Sequence, residues 1–325
     1  MSVGDAVPEV SIVVAMDRVG PDPERCIERL LGQRTSRSFE IIVVGGETPG
    51  LTCDTHIRTL TEPDRNPAVR RNGGVALARG RIFAFIDDDA FAAPEWLETA
   101  MEYLDTHPDV LALGGPDPAP LDSPLGELVS DTLLSTRWIG SGILCHEVPD
   151  GVFRVRSPHD LALVNLFVRR EAFEEGGGFD PVIGYVGEDT ALLEKILERG
   201  AVVYHSGVIV RHRRRAFPGS FLRQRWRYRV KTGRMLVSGP RTYRRSGKLW
   251  IFLGGGAAFV ALLVATPLAA LALLAAYGVA VTVLAIPSTR LPWWSWPLIP
   301  FAFLVHHANY FAGIVTGAVL EILGK

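Results

Sequence analysis

From Val10 to Ala15 the chain reads Val-Ser-Ile-Val-Val-Ala, a short β-branched apolar run of the kind that forms a strand buried on both faces. After Pro23, apolar residues fall at Cys26, Ile27, Leu30 and Leu31, a helical spacing that Gly32 stops. Phe39 to Val44 is a second buried strand, ended by Gly45-Gly46, so the opening predicts a βαβ unit with a right-handed crossover. A helix is predicted over Ala68–Arg79, then a strand over Ile82–Ile86 that runs into Asp87-Asp88-Asp89. Pro94–Tyr103 is predicted as helix, with proline in the first turn. These elements define an open α/β sheet, in which ligands bind beyond the carboxyl ends of the strands. Gly114–Pro124 is rich in proline, glycine and aspartate and predicts a loop. Beyond it the pattern predicts a strand over Leu161–Arg169, a turn at Gly176-Gly177-Gly178, a helix over Asp189–Arg199, and short strands at Val202–His205 and Val208–Val210.

The pattern changes at Leu249. From there to Ile286, 38 positions carry no charged side chain. As one helix this stretch would be about 57 Å long, almost twice a bilayer core, and Pro267 near its middle favours two spans. A further apolar stretch from Pro297 to Leu323 follows Trp293, Trp294 and Trp296, which suit a lipid interface. The predicted organisation is therefore a domain over residues 1–240 and a membrane anchor over 241–325. The anchor comprises two to three helices at about 249–266, 268–286 and 297–323. Arg241, Arg244, Arg245 and Lys248 before the first span place that end, and with it the preceding domain, on the cytoplasmic side of the cell membrane.

Composition narrows the partners. The net charge of the 325-residue chain is −1, so no overall field draws in nucleic acid. Cys26, Cys53 and Cys145 show no metal-ligand spacing and are expected to be reduced and buried. The first residues lack the basic start and apolar run of a signal peptide.

Three clusters carry candidate chemistry. At the end of an extended strand Asp87 and Asp89 point the same way, and two adjacent carboxylates call for a cation between them. Mg²⁺ or Mn²⁺ would serve and would also bridge a diphosphate; an acidic turn capping the next helix is the alternative. Gly187-Glu188-Asp189-Thr190 opens a helix, either as an ordinary charged N-terminus or, beside the glycine-rich turn, as the seat of a general base. Arg70-Arg71-Asn72 and Arg211-His212-Arg213-Arg214-Arg215 offer guanidinium forks for phosphate. For the second group, anionic lipid headgroups are an equal alternative. His212 is either a metal ligand or a solvated histidine.

With these residues in place, the chain resembles a family 2 glycosyltransferase of the GT-A fold. It is similar in particular to membrane-anchored enzymes of the succinoglycan or exopolysaccharide type. The likeness covers about residues 9–240 and is carried by several pieces in order. The first are Val10-Ser-Ile-Val-Val, Leu31-Gly-Gln33, Glu40-Ile-Ile-Val-Val44, Asn66–Gly73, Ala78-Arg-Gly80 and Phe85-Ile-Asp-Asp-Asp89. Gly177-Gly-Phe-Asp180, Gly187-Glu-Asp189 and Val210-Arg-His212 follow. The resemblance implies inverting, metal-dependent transfer from a UDP- or GDP-sugar to a lipid-linked saccharide or polyprenyl acceptor, beside membrane lipids and without nucleic acid. It implies Asp189 as the base, Glu188 on the acceptor side, and Asp17, Glu47, Arg71, Asp87 and Asp88 toward the nucleotide sugar. Asp87, Asp89 and His212 would hold the metal. Two departures stand out: Gly45-Gly46-Glu47 replaces the usual acidic nucleobase reader, and Met16-Asp17-Arg18 replaces the commoner Tyr-Asn-Arg. Gln224-Arg-Trp226 lacks the spacing of the processive QxxRW signature, which implies a non-processive enzyme. The alternatives are a polyprenyl-phosphate sugar transferase, in which the lipid phosphate is the acceptor, and a catalytically inactive membrane scaffold. A phosphatase or nuclease built on the Asp triplet lacks a nucleophile motif.

Overall fold

The structure is a computed structural model, and it describes residues 7–46, 54–183, 187–238 and 247–325. Two compact units are formed: Met1–Pro120 with Gly142–Arg213, and Leu121–Ser141 with Arg214–Lys325.

The first unit is built on an eight-stranded mixed sheet. Its parallel half comprises β1 (Val10–Met16), β2 (Phe39–Gly45), β3 (Ile57–Thr61) and β4 (Ile82–Asp87) in the order β3-β2-β1-β4. The other half adds β6 (Val110–Gly114), β7 (Val152–Arg154), β8 (Leu166–Arg169) and β9 (Ala201–His205) in the order β8-β6-β9-β7, with β8 antiparallel to both β4 and β6. A two-stranded ribbon, β5 (Ala90–Ala92) with β10 (Val210–His212), stands apart from this sheet. Side-chain alternation along the strands covers both faces. Val10, Ile12, Val14 and Met16 pack with Cys26 and Leu30 of α1 (Pro21–Leu31) and with Trp96, Leu97 and Met101 of α3 (Trp96–Thr106). Val13, Phe83 and Phe85 face Phe173 of α6 (Arg170–Glu175) and Leu192 and Ile196 of α7 (Glu188–Leu197). Helix α2 (Pro67–Leu77) lies on β1 and β2 because Gly74 has no Cβ: a methyl there would stand 2.6 Å from a Val13 methyl.

Several boundaries differ from the sequence pattern. The helix expected from Pro94 starts at Trp96, and the Pro94 carbonyl accepts the Arg34 N–H. The strand expected over Leu161–Arg169 is only β8, because Leu163–Asn165 turns as a 3-10 helix. That turn lets the buried Asn165 amide donate to Pro116 O and Val208 O while its carbonyl receives the Trp96 indole N–H. The strand expected at Val208–Val210 is displaced to Val210–His212, where β10 pairs with β5.

The second unit is helical: α4 (Leu125–Ser135), α8 (Gly219–Ser238), α9 (Gly247–Ala265), α10 (Pro267–Ala285) and α11 (Leu298–Ile322). Helices α8 and α11 pack along each other, with the Arg229 guanidinium 3.8 Å from the centre of the Tyr310 ring. Buried Asp131 on α4 binds Arg214 at 3.0 Å and Arg290 at 3.3 Å. Among the described residues, α10 and α11 are long and apolar enough to cross a membrane, at about 28 and 37 Å. On α10 the side chains of Leu268, Leu271, Val279 and Val283 are exposed, as expected for a lipid-facing surface rather than a protein core.

Candidate active site

Three chain segments meet at the carboxyl ends of β1 and β4. The first is the turn Asp87-Asp88-Asp89 between β4 and β5. Asp88 turns toward β1, where its Oδ2 accepts the Asp17 N–H at 3.3 Å. Burial, reinforced by the neighbouring Asp89 and Asp87, pushes the Asp88 carboxyl up to about 7. The second segment is β10. Pairing of Ala90 with His212, and the Arg213 N–H donated to Asp89 O at 3.1 Å, place His212 beside the acidic turn. Its Nε2 lies 3.2 Å from Asp89 Oδ1. One ligand atom each from Asp87, Asp89 and His212 falls within 4.8 Å of the others. Two hard carboxylate oxygens and an imidazole so grouped suit a divalent cation such as Mg²⁺ or Mn²⁺, with remaining positions for water and phosphate oxygens.

The third segment is the start of α7. Gly187 at its N-cap has φ +100°, a left-handed conformation that a side chain would strain, and it directs Glu188 inward. Glu188 is buried, and desolvation, with Asp189 adding repulsion, raises its carboxyl above the ordinary range. Arg71 answers this: its Nη1 donates to Glu188 Oε1 at 3.0 Å and its Nη2 to Asp87 Oδ1 at 2.8 Å. A single buried guanidinium thus joins acids 101 positions apart, Asp87 and Glu188. Asp189 sits next in the first turn, its Oδ1 accepting the Thr190 N–H at 2.7 Å.

Helix α2 supplies the other fastenings. Asn66 caps it by accepting the Ala68 N–H, and donates to Pro181 O at 2.8 Å. Asn72 grips Phe179 twice, donating to its carbonyl at 2.7 Å and accepting its N–H at 3.1 Å. Arg70, grouped by sequence with the phosphate-binding forks, is buried and spent on backbone: Nη1 donates to Met16 O and Nε to Asp64 O. Its Nη1 also lies 3.5 Å from Asp17, which is otherwise largely exposed. The Arg211–Arg215 run is dispersed rather than one patch. Arg213 pairs with Asp22, Arg214 is buried against Asp131, and Arg215 is exposed. Cys26 and Cys145 are buried, while Glu47 and Cys53 lie outside the described residues.

A parallel α/β half-sheet ending in an acidic, histidine-flanked turn, completed by an antiparallel strand and a second acidic helix start, is the architecture of a GT-A glycosyltransferase. The family model for glycosyl transferase family 2 matches residues 11–176, and the chain belongs to that family. It is 28% identical over 212 residues to the succinoglycan biosynthesis protein ExoO of Rhizobium meliloti (strain 1021), covering 60% of this chain and 58% of that protein. To the glucosyl-dolichyl phosphate glucuronosyltransferase of Haloferax volcanii it is 27% identical over 193 residues, covering 55% and 58%. The matched region thus spans under two thirds of the length of these relatives. Among solved structures, the mannosyltransferase PcManGT from Pyrobaculum calidifontis, in complex with GDP-Man and Mn²⁺, superposes with a TM-score of 0.58 at 20% identity, over 98% of this chain and 88% of that one. That likeness is one of fold.

Proposed function

We propose that the chain transfers a sugar, with inversion, from a nucleotide diphosphate sugar to a hydroxyl of a lipid-linked acceptor at the cytoplasmic face of the membrane. The observation that carries this is the Arg71 bridge, which puts the helix start bearing Glu188 and Asp189 next to the acidic turn of Asp87. A UDP- or GDP-sugar spans such a site, with its diphosphate at one acid group and its sugar at the other. Asp87, Asp89 and His212 are the residues that would hold Mg²⁺ or Mn²⁺, which when bound neutralises charge on the departing diphosphate. PcManGT, of the same fold, binds GDP-Man with Mn²⁺.

Asp17 and Asp88 face the nucleotide on this reading, and Glu188 lines the acceptor side. Asp189 is the base. Thr190 fixes one of its oxygens, and the other takes the proton of the acceptor hydroxyl. The acceptor oxygen bonds to the anomeric carbon as the bond from that carbon to the diphosphate breaks, and the electron pair leaves with the nucleotide. Arg71 holds Glu188 and Asp87 in place through charge-assisted hydrogen bonds. Helices α10 and α11 hold the enzyme at the bilayer that contains its acceptor, which raises the effective concentration of that substrate.

Replacing Asp189 by Asn is expected to lower transfer by roughly 10²–10⁴-fold while donor binding persists. Undiminished acceptor-dependent nucleotide release would remove Asp189 as the base and favour a lipid phosphate acceptor, which needs none. Full activity in EDTA would overturn the role of Asp87 and Asp89.

A further inference from the structure

The loop after β6 holds a buried carboxylate that the proposed reaction does not use. Pro116-Asp117-Pro118 runs beside β10 as a rail: Val210 N donates to Pro116 O at 3.1 Å and His212 N to Pro118 O at 3.0 Å. Proline fixes φ and lacks an N–H, so the rail offers carbonyls to β10 and resists bending. The Asp117 N–H is tied to Cys145 O at 3.3 Å. The Asp117 side chain, 1% exposed, lies between two imidazoles. Its Oδ1 is 2.8 Å from His146 Nδ1, and its Oδ2 is 3.8 Å from His212 Nδ1. The far nitrogen of His212, Nε2, faces Asp89. A charge so deeply buried is held only with partners, and a ligating histidine commonly gives its second N–H to a carboxylate, which fixes its tautomer and ring angle.

We propose that Asp117 is a positioning residue for the metal site: it accepts a hydrogen bond from His212 Nδ1–H, which keeps the proton on that nitrogen and leaves Nε2, the nitrogen that faces Asp89, with its lone pair free to ligate. His146 anchors Asp117 from the opposite side. At 3.8 Å the two groups stand at ion-pair distance, and the proposal requires them to approach when His212 binds a cation. This rests on the metal reading of Asp87, Asp89 and His212.

Mn²⁺ alone is the probe, titrated by EPR into the full chain in detergent, with ¹⁴N coupling read by electron spin echo. The wild type is expected to bind Mn²⁺ with one imidazole coupling. Asp117→Asn is expected to bind roughly 10–100-fold more weakly and to lose most of the coupling. Asp117→Glu is expected to recover part of both, and Asp117→Asn is expected to add nothing in a His212→Ala background. Equal affinity and coupling in Asp117→Asn would overturn the proposal while leaving the metal site standing. Absence of ¹⁴N coupling in the wild type would overturn the assignment of His212, and the proposal with it. If Asp117→Asn does not fold, His146→Asn carries the test: several-fold weaker Mn²⁺ binding supports the anchor, and unchanged affinity overturns it.

Discussion

Arg71→Gln removes the only guanidinium bonded to both Asp87 and Glu188 among the described residues. Removing one partner of a buried ion pair costs about 3–5 kcal/mol, because the remaining charge is stranded. Here Glu188 is about as buried as Arg71, at 9% side-chain exposure, whereas Asp87 is 31% exposed and recovers hydration. The lower end therefore applies, about 3 kcal/mol, or roughly 6–12 °C in melting temperature for a unit of this size. The loss has a pH signature. Burial, aided by Asp189, already raises the folded-state pKa of Glu188, and deleting Arg71 raises it further. The folded variant then binds more protons than the unfolded chain, so its stability falls as pH rises through that window and recovers as Glu188 is protonated on acidification. Melting curves in detergent with EDTA, from pH 5 to 8, are expected to show a deficit largest at pH 8 and shrinking toward pH 5. Adding Glu188→Gln is expected to return about half of it, by relieving the stranded charge. A deficit that stays constant with pH, or that the second substitution deepens, would refute the stranded-charge explanation.

Two further perturbations test how the frame is fastened. Burial pushes the Glu40 carboxyl up, but bonds from Ser11, the Arg79 N–H and Arg58 outweigh it and leave the group below its ordinary range. Its stabilisation is thus present above the unfolded value and lost as pH falls through the folded one. Glu40→Gln is expected to cost about 1.5 kcal/mol at neutral pH, the low end for charged hydrogen bonds because the Arg58 and Arg79 side chains are partly exposed. The penalty is expected to fade below about pH 4, as followed by urea unfolding. Asn72→Ala strips the two bonds to buried Phe179, with an expected loss of about 1–3 kcal/mol. Faster amide exchange at Phe179 is the check, and unchanged exchange would mean that Asn72 does not hold the loop.

Strands β1, β2 and β4 were legible because each is a mostly apolar run buried on both faces, interrupted only by Ser11 in β1 and Glu40 in β2 before β4 ends at Asp87. Strand β3 was not, since Ile57–Thr61 is a half-exposed edge whose Arg58 and Thr59 break the apolar signal. Strand β10 was displaced for a related reason. Arg211 and His212 are polar, and only pairing with β5 at positions 90–92, far away in sequence, makes that segment a strand. Asp117 was hidden differently. Turn chemistry explains Gly-Gly-Pro-Asp-Pro on its own terms, and nothing local says that its carboxylate will be sealed between two histidines.

The same limit explains why Arg70 and Arg71 could be grouped as basic from the sequence while the protein groups they bind could not be named. Sequence gives the type of a side chain, whereas its role follows from what the fold sets opposite each face. Over two turns of α2, Asn66 holds Pro181, Arg70 holds the end of β1, Arg71 holds β4 and α7, and Asn72 holds Phe179. Only one of these four ends on acidic groups central to the proposed chemistry, yet all four fix where those groups stand. A helix start 100 residues downstream of the acidic turn could not be placed beside it by loop geometry alone, because every residue of connecting chain adds conformational freedom. Besides the packing of Leu192 and Ile196 in the core and the pairing of β10 with β5, convergence rests on side-chain bonds from α2, and conservative replacement along α2 should disturb the site even where no substrate is touched.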